Sequence, residues 1–195
     1  MKRYLMICGF IILINKWIGD AHINADNGSK SVSIQSIKCE MTFNEIQNTF
    51  KRKLFNSKVF PNQYYIYNVR IVNVKSYAFI YFTNGKVSSI TYRISPLEQS
   101  SEKQIELWLE IDKVLNNEYG KPELDQIKYI NTQTRVANTT FSYDLSIGNI
   151  KLEKVWLTEH LWIQHELYKV KKNKDIQYPS YGHYLSFVCK VKKSD

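Results

Sequence analysis

Between Ser101 and Pro122 the apolar residues recur at helical spacing. At about 100° per residue, Trp108, Ile111, Leu115 and Tyr119 fall on one stripe. Leu107 and Val114 widen it on one side, Ile105 and Leu109 on the other. The wet face holds only Glu102, Lys103, Glu106, Glu110, Lys113 and Asn117. An apolar arc of roughly half the circumference exceeds what a helix with one covered side needs. The pattern therefore predicts a helix set in a groove, touching sheet on more than one side. Ser101 with Gln104 fits a capping box, and Glu102 sits where the helix dipole favours negative charge. Tyr119-Gly120-Lys121-Pro122 is a stop, because glycine tolerates a left-handed cap and proline cannot continue the ladder. A shorter helix is predicted after Thr42. Thr42 and Glu45 form a capping box, Phe43, Ile46, Phe50 and Leu54 follow at helical spacing, and Lys51-Arg52-Lys53 places cations in the last turn.

Elsewhere the period is two. Gln63 to Val74, rich in Tyr, Ile and Val, reads as a long or bulged strand. Ser76–Thr83 and Lys86–Ile94 flank Asn84-Gly85, a strong short-range hairpin signal. A two-residue turn there pairs Phe79 with Ile90 and Tyr77 with Tyr92, on one face with Tyr81 and Ile94. Ala78, Ser89, Thr91 and Arg93 are left on a wetter face. Ile127–Thr134 is a further strand. Phe141, Tyr143, Leu145 and Ile147 alternate with Thr140, Ser142, Asp144 and Ser146, the signature of a half-buried strand. Ile150–Leu157 and His160–Val170 follow the Gly148-Asn149 turn. Lys171–Gly182 is a charged loop, and His183–Val191 puts Leu185, Phe187, Cys189 and Val191 on one face. Ser31–Lys38 alternates weakly, as a short edge strand would. Runs of strands without intervening helices mean antiparallel meanders, hence an α+β class: two capped helices packed on antiparallel β-meanders. The halves 39–95 and 101–193 each read as a helix followed by a meander, the form of a degenerate duplication.

Composition changes the picture at the N-terminus. Met1-Lys2-Arg3 is a basic start, Tyr4–Ile14 an apolar run too short to span a bilayer, and Gly19-Asp20-Ala21 or Ile23-Asn24-Ala25 a small-residue cleavage site. The expectation is an exported protein, periplasmic or secreted. Residues 1–21 are its signal peptide (cleavage as late as 25), 22–36 a flexible leader and 37–195 one α+β domain, with no transmembrane span after cleavage. Leu-Met-Ile before Cys8 lacks the small residue of a lipoprotein signal. Losing Lys2, Arg3, Lys16 and Asp20 takes the net charge from +9 to +7. Cys39 and Cys189 remain, and an oxidising compartment favours a bridge between them. Closing so long a loop would remove about 4–5 kcal/mol of unfolded-state entropy; two buried thiols are the alternative.

The Leu115…Tyr119-Gly120-Lys121-Pro122 stop, the Asn84-Gly85-Lys86 hairpin, and Trp156 followed by Trp162-Ile163 lie in a helix–meander–helix–meander order. That order resembles exported bacterial proteins of unknown function and, more loosely, the helix-plus-meander repeats of the β-lactamase inhibitor protein class. The resemblance implies a non-catalytic, protein-binding role and transfers no inhibitory residue.

Candidate chemistry is sparse. Among His22, His160, His165 and His183, the pair five apart on a strand faces opposite sides, and no metal-ligand spacing occurs, so neither metal nor cofactor is expected. No nucleophile elbow or phosphate loop is present. Asp112, on the apolar side of the central helix, reads either as a general acid or as an aspartate paired with a nearby cation. Lys169, Lys171, Lys172 and Lys174 lie at the opposite hairpin end from Lys190, Lys192 and Lys193. They do not merge into a nucleic-acid stripe and fit a solvated surface or weak association with an anionic envelope. The chain carries 14 Tyr, 9 Phe and 4 Trp, and six tyrosines, Tyr64, Tyr65, Tyr67, Tyr178, Tyr181 and Tyr184, exceed what one core face absorbs. Tyrosine offers wide contact area with a polar tip, suited to a protein or glycan, while half of the six as core residues is the plainer reading. Asn27 and Asn138 head glycosylation sequons that matter only in a eukaryotic secretory route. The sequence thus points to an exported, non-enzymatic binding protein. An enzyme with a site assembled from separate strands and a structural envelope component remain the alternatives.

Overall fold

The computed structural model describes residues 38–51, 53–72, 74–94, 100–130, 140–170 and 181–190. The stretches expected as signal peptide, leader and Ser31–Lys38 strand (up to residue 37), His22, Tyr178, Asn27, Asn138 and the Lys171–Gly182 stretch up to residue 180 lie outside them. Three helices and one antiparallel sheet follow: α1 (Phe43–Phe50), β1 (Phe55–Asn56), β2 (Gln63–Ile71), β3 (Val74–Thr83), β4 (Lys86–Ile94), α2 (Ser101–Tyr119), β5 (Leu124–Tyr129), α3 (Phe141–Ile147), β6 (Ile150–Leu157), β7 (Leu161–Lys169) and β8 (Tyr181–Cys189). The class is α+β. Strand order across the sheet is β1-β2-β3-β4-β8-β7-β6-β5, so two meanders join edge to edge where β4 meets β8.

Each element has a local cause. α1 starts at a reciprocal capping box: the Thr42 amide donates to Glu45 Oε2 at 2.6 Å and the Glu45 amide to Thr42 Oγ1 at 3.4 Å. It ends at Phe50, three residues before the end of the basic run expected in its last turn, because Lys51 is a left-handed cap (φ 51°). α2 is capped one residue before the expected position: the Lys103 amide donates to Ser100 Oγ at 3.4 Å, which frees Gln104 to turn inward. Its buried residues are Ser101, Gln104, Leu107, Trp108, Ile111, Asp112 and Leu115. Leu109 is 56 % exposed and Val114 37 %, so the helix rests on one sheet face rather than in a groove. Gly120 stops it, and Trp156 clamps that end by donating from Nε1 to the Gly120 carbonyl at 2.9 Å.

Three expectations are corrected. Phe141–Ile147 is the helix α3, not a strand. Thr140 Oγ1 accepts from the Tyr143 amide, and Gly148 (φ 79°) closes the last turn by donating to the Asp144 and Leu145 carbonyls. Only Leu145 among its apolar residues is buried, and Phe141, Tyr143 and Ile147 are exposed. A seven-residue alternation between two strong caps is settled by the caps. Second, Asn84 and Gly85 do form the turn, with φ of 52° and 76°, but a bulge between Tyr81 and Phe82 shifts the pairing by one. Ile80 faces Ile90 and Ala78 faces Tyr92. A one-residue slip moves every β3 side chain to the other face, so Ala78, Ile80 and Phe82 are core. Tyr77, Phe79 and Tyr81 join Thr91 and Arg93. Third, β2 ends at Ile71 and β3 starts at Val74, and β5 spans Leu124–Tyr129 rather than Ile127–Thr134.

All three helices pack on the same face of the sheet. Ile46, Phe50, Leu107, Ile111 and Leu115 meet Ile66, Ile80, Ile90, Tyr92, Trp156, Ile163 and Leu185 in one cluster. Leu145 and Trp108 meet Ile150, Leu152 and Leu167 in a second. A bridge between Cys39 and Cys189, 5.6 Å apart at Cα, ties the segment four residues before α1 to the end of β8 across 150 positions.

Candidate functional site

Because strand residues alternate between faces, the register assigns everything on the side opposite the helices, the far face. One row runs Tyr77 (β3), Arg93 (β4), Tyr184 (β8), Glu166 (β7), Glu153 (β6), Gln126 (β5), each directly opposite the next. The adjacent row runs Phe55, Tyr65, Phe79, Thr91, Ser186, Gln164, Val155, Leu124 across all eight strands. No described helix covers these rows.

The half built from β1–β3 is an aromatic strip. Phe55 stacks on Tyr65 at 6.0 Å and meets Tyr67 edge-on at 5.4 Å, and Tyr67 meets Tyr77 edge-on at 5.6 Å. Phe55 is 41 % exposed, and Tyr65, Tyr67 and Tyr77 are half-buried. The half built from β5–β7 is a charge lattice. Gln164 Nε2 donates to Glu153 Oε1 and Glu166 Oε1, both at 2.6 Å, and Gln126 Nε2 donates to Glu153 Oε2 at 2.8 Å. Lys128 Nζ donates to Glu153, and Lys151 Nζ to Glu166. Burial would push the Glu153 carboxyl up, but Lys128, Lys151 and Gln126 outweigh it and hold it at about 2. Burial dominates at Glu166, whose carboxyl is pushed up despite Lys151, with Glu153 adding to the shift. Two neighbouring carboxylates thus hold their protons differently.

Between the halves stand Tyr168, Tyr184 and Arg93. The Tyr168 ring stacks on Tyr184 at 6.1 Å and lies over Gly182, where a Cβ would sit 2.5 Å from the ring; only glycine admits it there. Thr91 and Ser186 exchange a hydroxyl hydrogen bond at 3.0 Å.

The six tyrosines singled out from sequence divide. Tyr65 and Tyr67 lie on the far face. Tyr184 is on it too but is 1 % exposed. Tyr64 points to the helix side, 5.0 Å from Phe43 and 5.5 Å from Phe82, lining an uncharged hollow of about 500 Å³ with Asn62, Asn84 and Gly85. Tyr181 is also on the helix side, under Lys169 at 4.7 Å. Tyr178 lies outside the described residues.

Beneath α2 runs a buried polar seam that sequence reasoning did not assemble. His165 and His183 are both fully buried, with Nε2 atoms 2.9 Å apart, and His183 Nδ1 is 3.1 Å from Gln104 Oε1. His183 Nδ1–H donates to Gln104, so its Nε2 accepts from His165 Nε2–H. His165 Nδ1 is then an acceptor with no partner. Trp108 stacks on the His165 ring at 3.7 Å. Burial pushes His183 down to about 3 and His165 well below its ordinary value, with His183 and Lys154 adding to the latter. Asp112 is buried and accepts from Lys154 Nζ at 2.6 Å, which also reaches Asp125 at 3.0 Å. Here the aspartate is an ion-pair partner. Inward alternation at positions 165 and 183 was the available signal; the cross-strand register that joins them was not. Among the described residues no group of three His, Cys, Asp or Glu could hold a metal ion, and no helix is long and apolar enough to cross a membrane.

No protein-family model, curated protein or solved structure matches the chain.

Proposed function

We propose that this chain is an exported, non-enzymatic binding protein that docks a protein partner on the far face of its sheet. The carrying observation is the partly exposed aromatic strip of Phe55, Tyr65, Tyr67 and Tyr77 at the β1–β3 end of this face, held against a sheet whose Glu153, Gln164 and Glu166 lattice is buried and already tied together. Such a surface meets a partner with little side-chain entropy left to lose, and tyrosines are favoured where contact must combine area with hydrogen bonding. The Cys39–Cys189 bridge supports the exported reading, since disulfides persist in oxidising compartments. The β1–β4 and β5–β8 meanders joined at β4–β8, each preceded by a capped helix, support a duplicated origin and the likeness to helix-plus-meander binding proteins.

The test is capture from an envelope extract by the wild-type protein and by Tyr65→Ala/Tyr67→Ala, with circular dichroism to establish that both are folded. Loss of about tenfold or more of one recovered partner is expected; equal recovery removes the far face from the reading.

A further inference from the structure

β5 ends the sheet, and its outer edge carries no partner strand among the described residues. Open edges are ordinarily blunted by an outward charge, a proline or a bulge, because an unpaired ladder recruits another chain. β5 pairs with β6 without a register break from Leu124 to Tyr129, and Pro122 lies before the strand begins. Its two charges are turned back onto their own sheet: Asp125 is held by Lys154 at 3.0 Å, and Lys128 by Glu153. Exposed on the strand instead are Leu124, Ile127 and Tyr129, followed by Ile130. The Ile130 amide donates to the Asn149 carbonyl opposite it at 2.7 Å. Antiparallel bonding alternates, so the even-numbered residues of β5 bond β6, and the backbone groups of Asp125 and Ile127 point outward.

We propose that this edge takes the β5 edge of a second copy, antiparallel, with the two-fold axis at Ile127, so that two sheets become one. Symmetry restricts the register. Residues opposite each other share a face, as do alternate residues of one strand, so a strand paired with its own copy must be centred on a residue. Centring on Asp125 or Lys128 sets like charges together, which destabilises a pair. Centring on Gln126 sets Leu124 against Lys128 and Asp125 against Ile127. Centring on Ile127 sets that residue on itself on the helix side, Leu124 on Ile130 on the far face, and Gln126 beside Lys128. It also makes the outward backbone groups of the two Ile127 residues a hydrogen-bonded pair. On the helix side Ile127 lies opposite Leu152 and Tyr129 opposite Ile150, and both partners pack in one cluster with Leu145 of α3. The joined edge therefore extends an apolar layer already built. A copy fits better than an unrelated strand because the edge complements itself in charge as well. The chain carries +9, yet the charged residues between Lys121 and Ile130 are two of each sign: Lys121, Lys128, Glu123 and Asp125. Two copies meet here with little of the repulsion that the rest of their surfaces imposes. This inference goes beyond the docking reading and does not depend on it. The aromatic strip lies at the opposite end of the strand order, so each copy keeps its own, and a partner with repeated sites would gain avidity.

The test is sedimentation velocity of the oxidised protein across a concentration series, with circular dichroism to establish that each variant is folded. Wild type should pass from monomer to dimer as concentration rises. Ile127→Lys and Ile127→Glu, each alone, should weaken association about tenfold or more, because each sets like charges at the axis. Their equimolar mixture should recover dimers, since a register centred on position 127 brings the two opposite charges together. Leu109→Lys, at another exposed apolar position, on α2, should associate as wild type does. Amide hydrogen exchange on wild type supplies a readout that needs no variant. The Asp125 and Ile127 amides should gain protection as concentration rises, and the Gln126 and Lys128 amides, bonded to β6, should change far less. A wild type that stays monomeric throughout, dimers of unchanged affinity in both Ile127 variants, or a mixture that fails to associate overturns the proposal. Protection of the Asp125 and Ile127 amides that is the same at every dilution means that the chain covers its own edge, and overturns it too.

Discussion

Acidification should unlock the seam beneath α2 before it disturbs the rest of the fold. His183 is held at about 3 against an ordinary 6.5, and His165 is pushed well down by the same burial, by His183 and by Lys154. A histidine with a depressed folded pKa binds its proton more readily in the unfolded chain. Its contribution is therefore intact above about pH 6.5 and is lost as pH falls toward the folded value. Each excluded proton costs about 1.4 kcal/mol per pH unit. Between pH 6.5 and 4.5 that is about 2–3 kcal/mol for His183, with His165 adding in the same direction, against a total stability of about 5–15 kcal/mol for a typical domain. The charged groups facing the pair are Lys154, which disfavours a second cation, and Asp112 and Asp125, which Lys154 already engages. Glu153, depressed to about 2, keeps its stabilising contribution above about pH 4.5 and loses it only below that. Glu166, raised by burial, acts in the opposite direction by gaining its proton in the fold, so it shallows the slope. Urea unfolding at intervals from pH 7.5 to 4.5 measures the slope directly, and Trp108, stacked on His165 at 3.7 Å, reports it by fluorescence. A stability that stays flat between pH 6.5 and 4.5 refutes the reasoning. So does an equal slope in His165→Gln/His183→Gln, should that variant fold.

Other outcomes follow from single contacts. Reducing Cys39–Cys189, which closes 150 positions, should lower stability by about 2–5 kcal/mol; an unchanged urea midpoint under reductant contradicts this. Gly182→Ala places a methyl group 2.5 Å from the Tyr168 ring and should cost about 1–3 kcal/mol as overpacking. Adding Tyr168→Ala should recover part of that loss, and simple additivity in the double-mutant cycle argues against the contact. Lys154→Met strands the buried Asp112 carboxylate and should cost about 3–5 kcal/mol. Lys154→Met/Asp112→Leu should be milder, and thermal melts of the two decide it.

What the sequence made legible was governed by local chemistry. Thr42 and Glu45 announce α1, Gly120 and Pro122 announce the end of α2, and Asn84-Gly85 announces the hairpin, because caps and turns are satisfied by residues a few positions apart. The bulge at Tyr81/Phe82 was not legible, since it depends on what lies opposite, and it reversed which face of β3 is core. Phe141–Ile147 misled for a related reason: seven alternating residues fit either period, and caps at both ends outweighed the alternation. The candidate site is a property of register. Arg93, Glu153, Glu166 and Gln164 are unremarkable singly, and only the β4–β8–β7–β6 pairing lines them up. His165 and His183 were weighed separately as metal ligands, yet adjacency of β7 and β8 makes them a hydrogen-bonded pair.

The strand order has a consequence for how the chain must be made. β8 is the last described strand in sequence but occupies the centre of the sheet, between β4 and β7. Until it arrives, β4 and β7 each present an unpaired, apolar-backed edge, the template on which strands of other molecules pair. Such long-range closure is slow and exposes intermediates to aggregation. A chain translocated N-terminus first would carry two half-sheets until its final segment emerged, with Cys39 waiting for Cys189. Folding is then a single late event in which β8 zips the halves together. A holding chaperone or oxidase acting on the open seam would govern yield more than the intrinsic stability of either half.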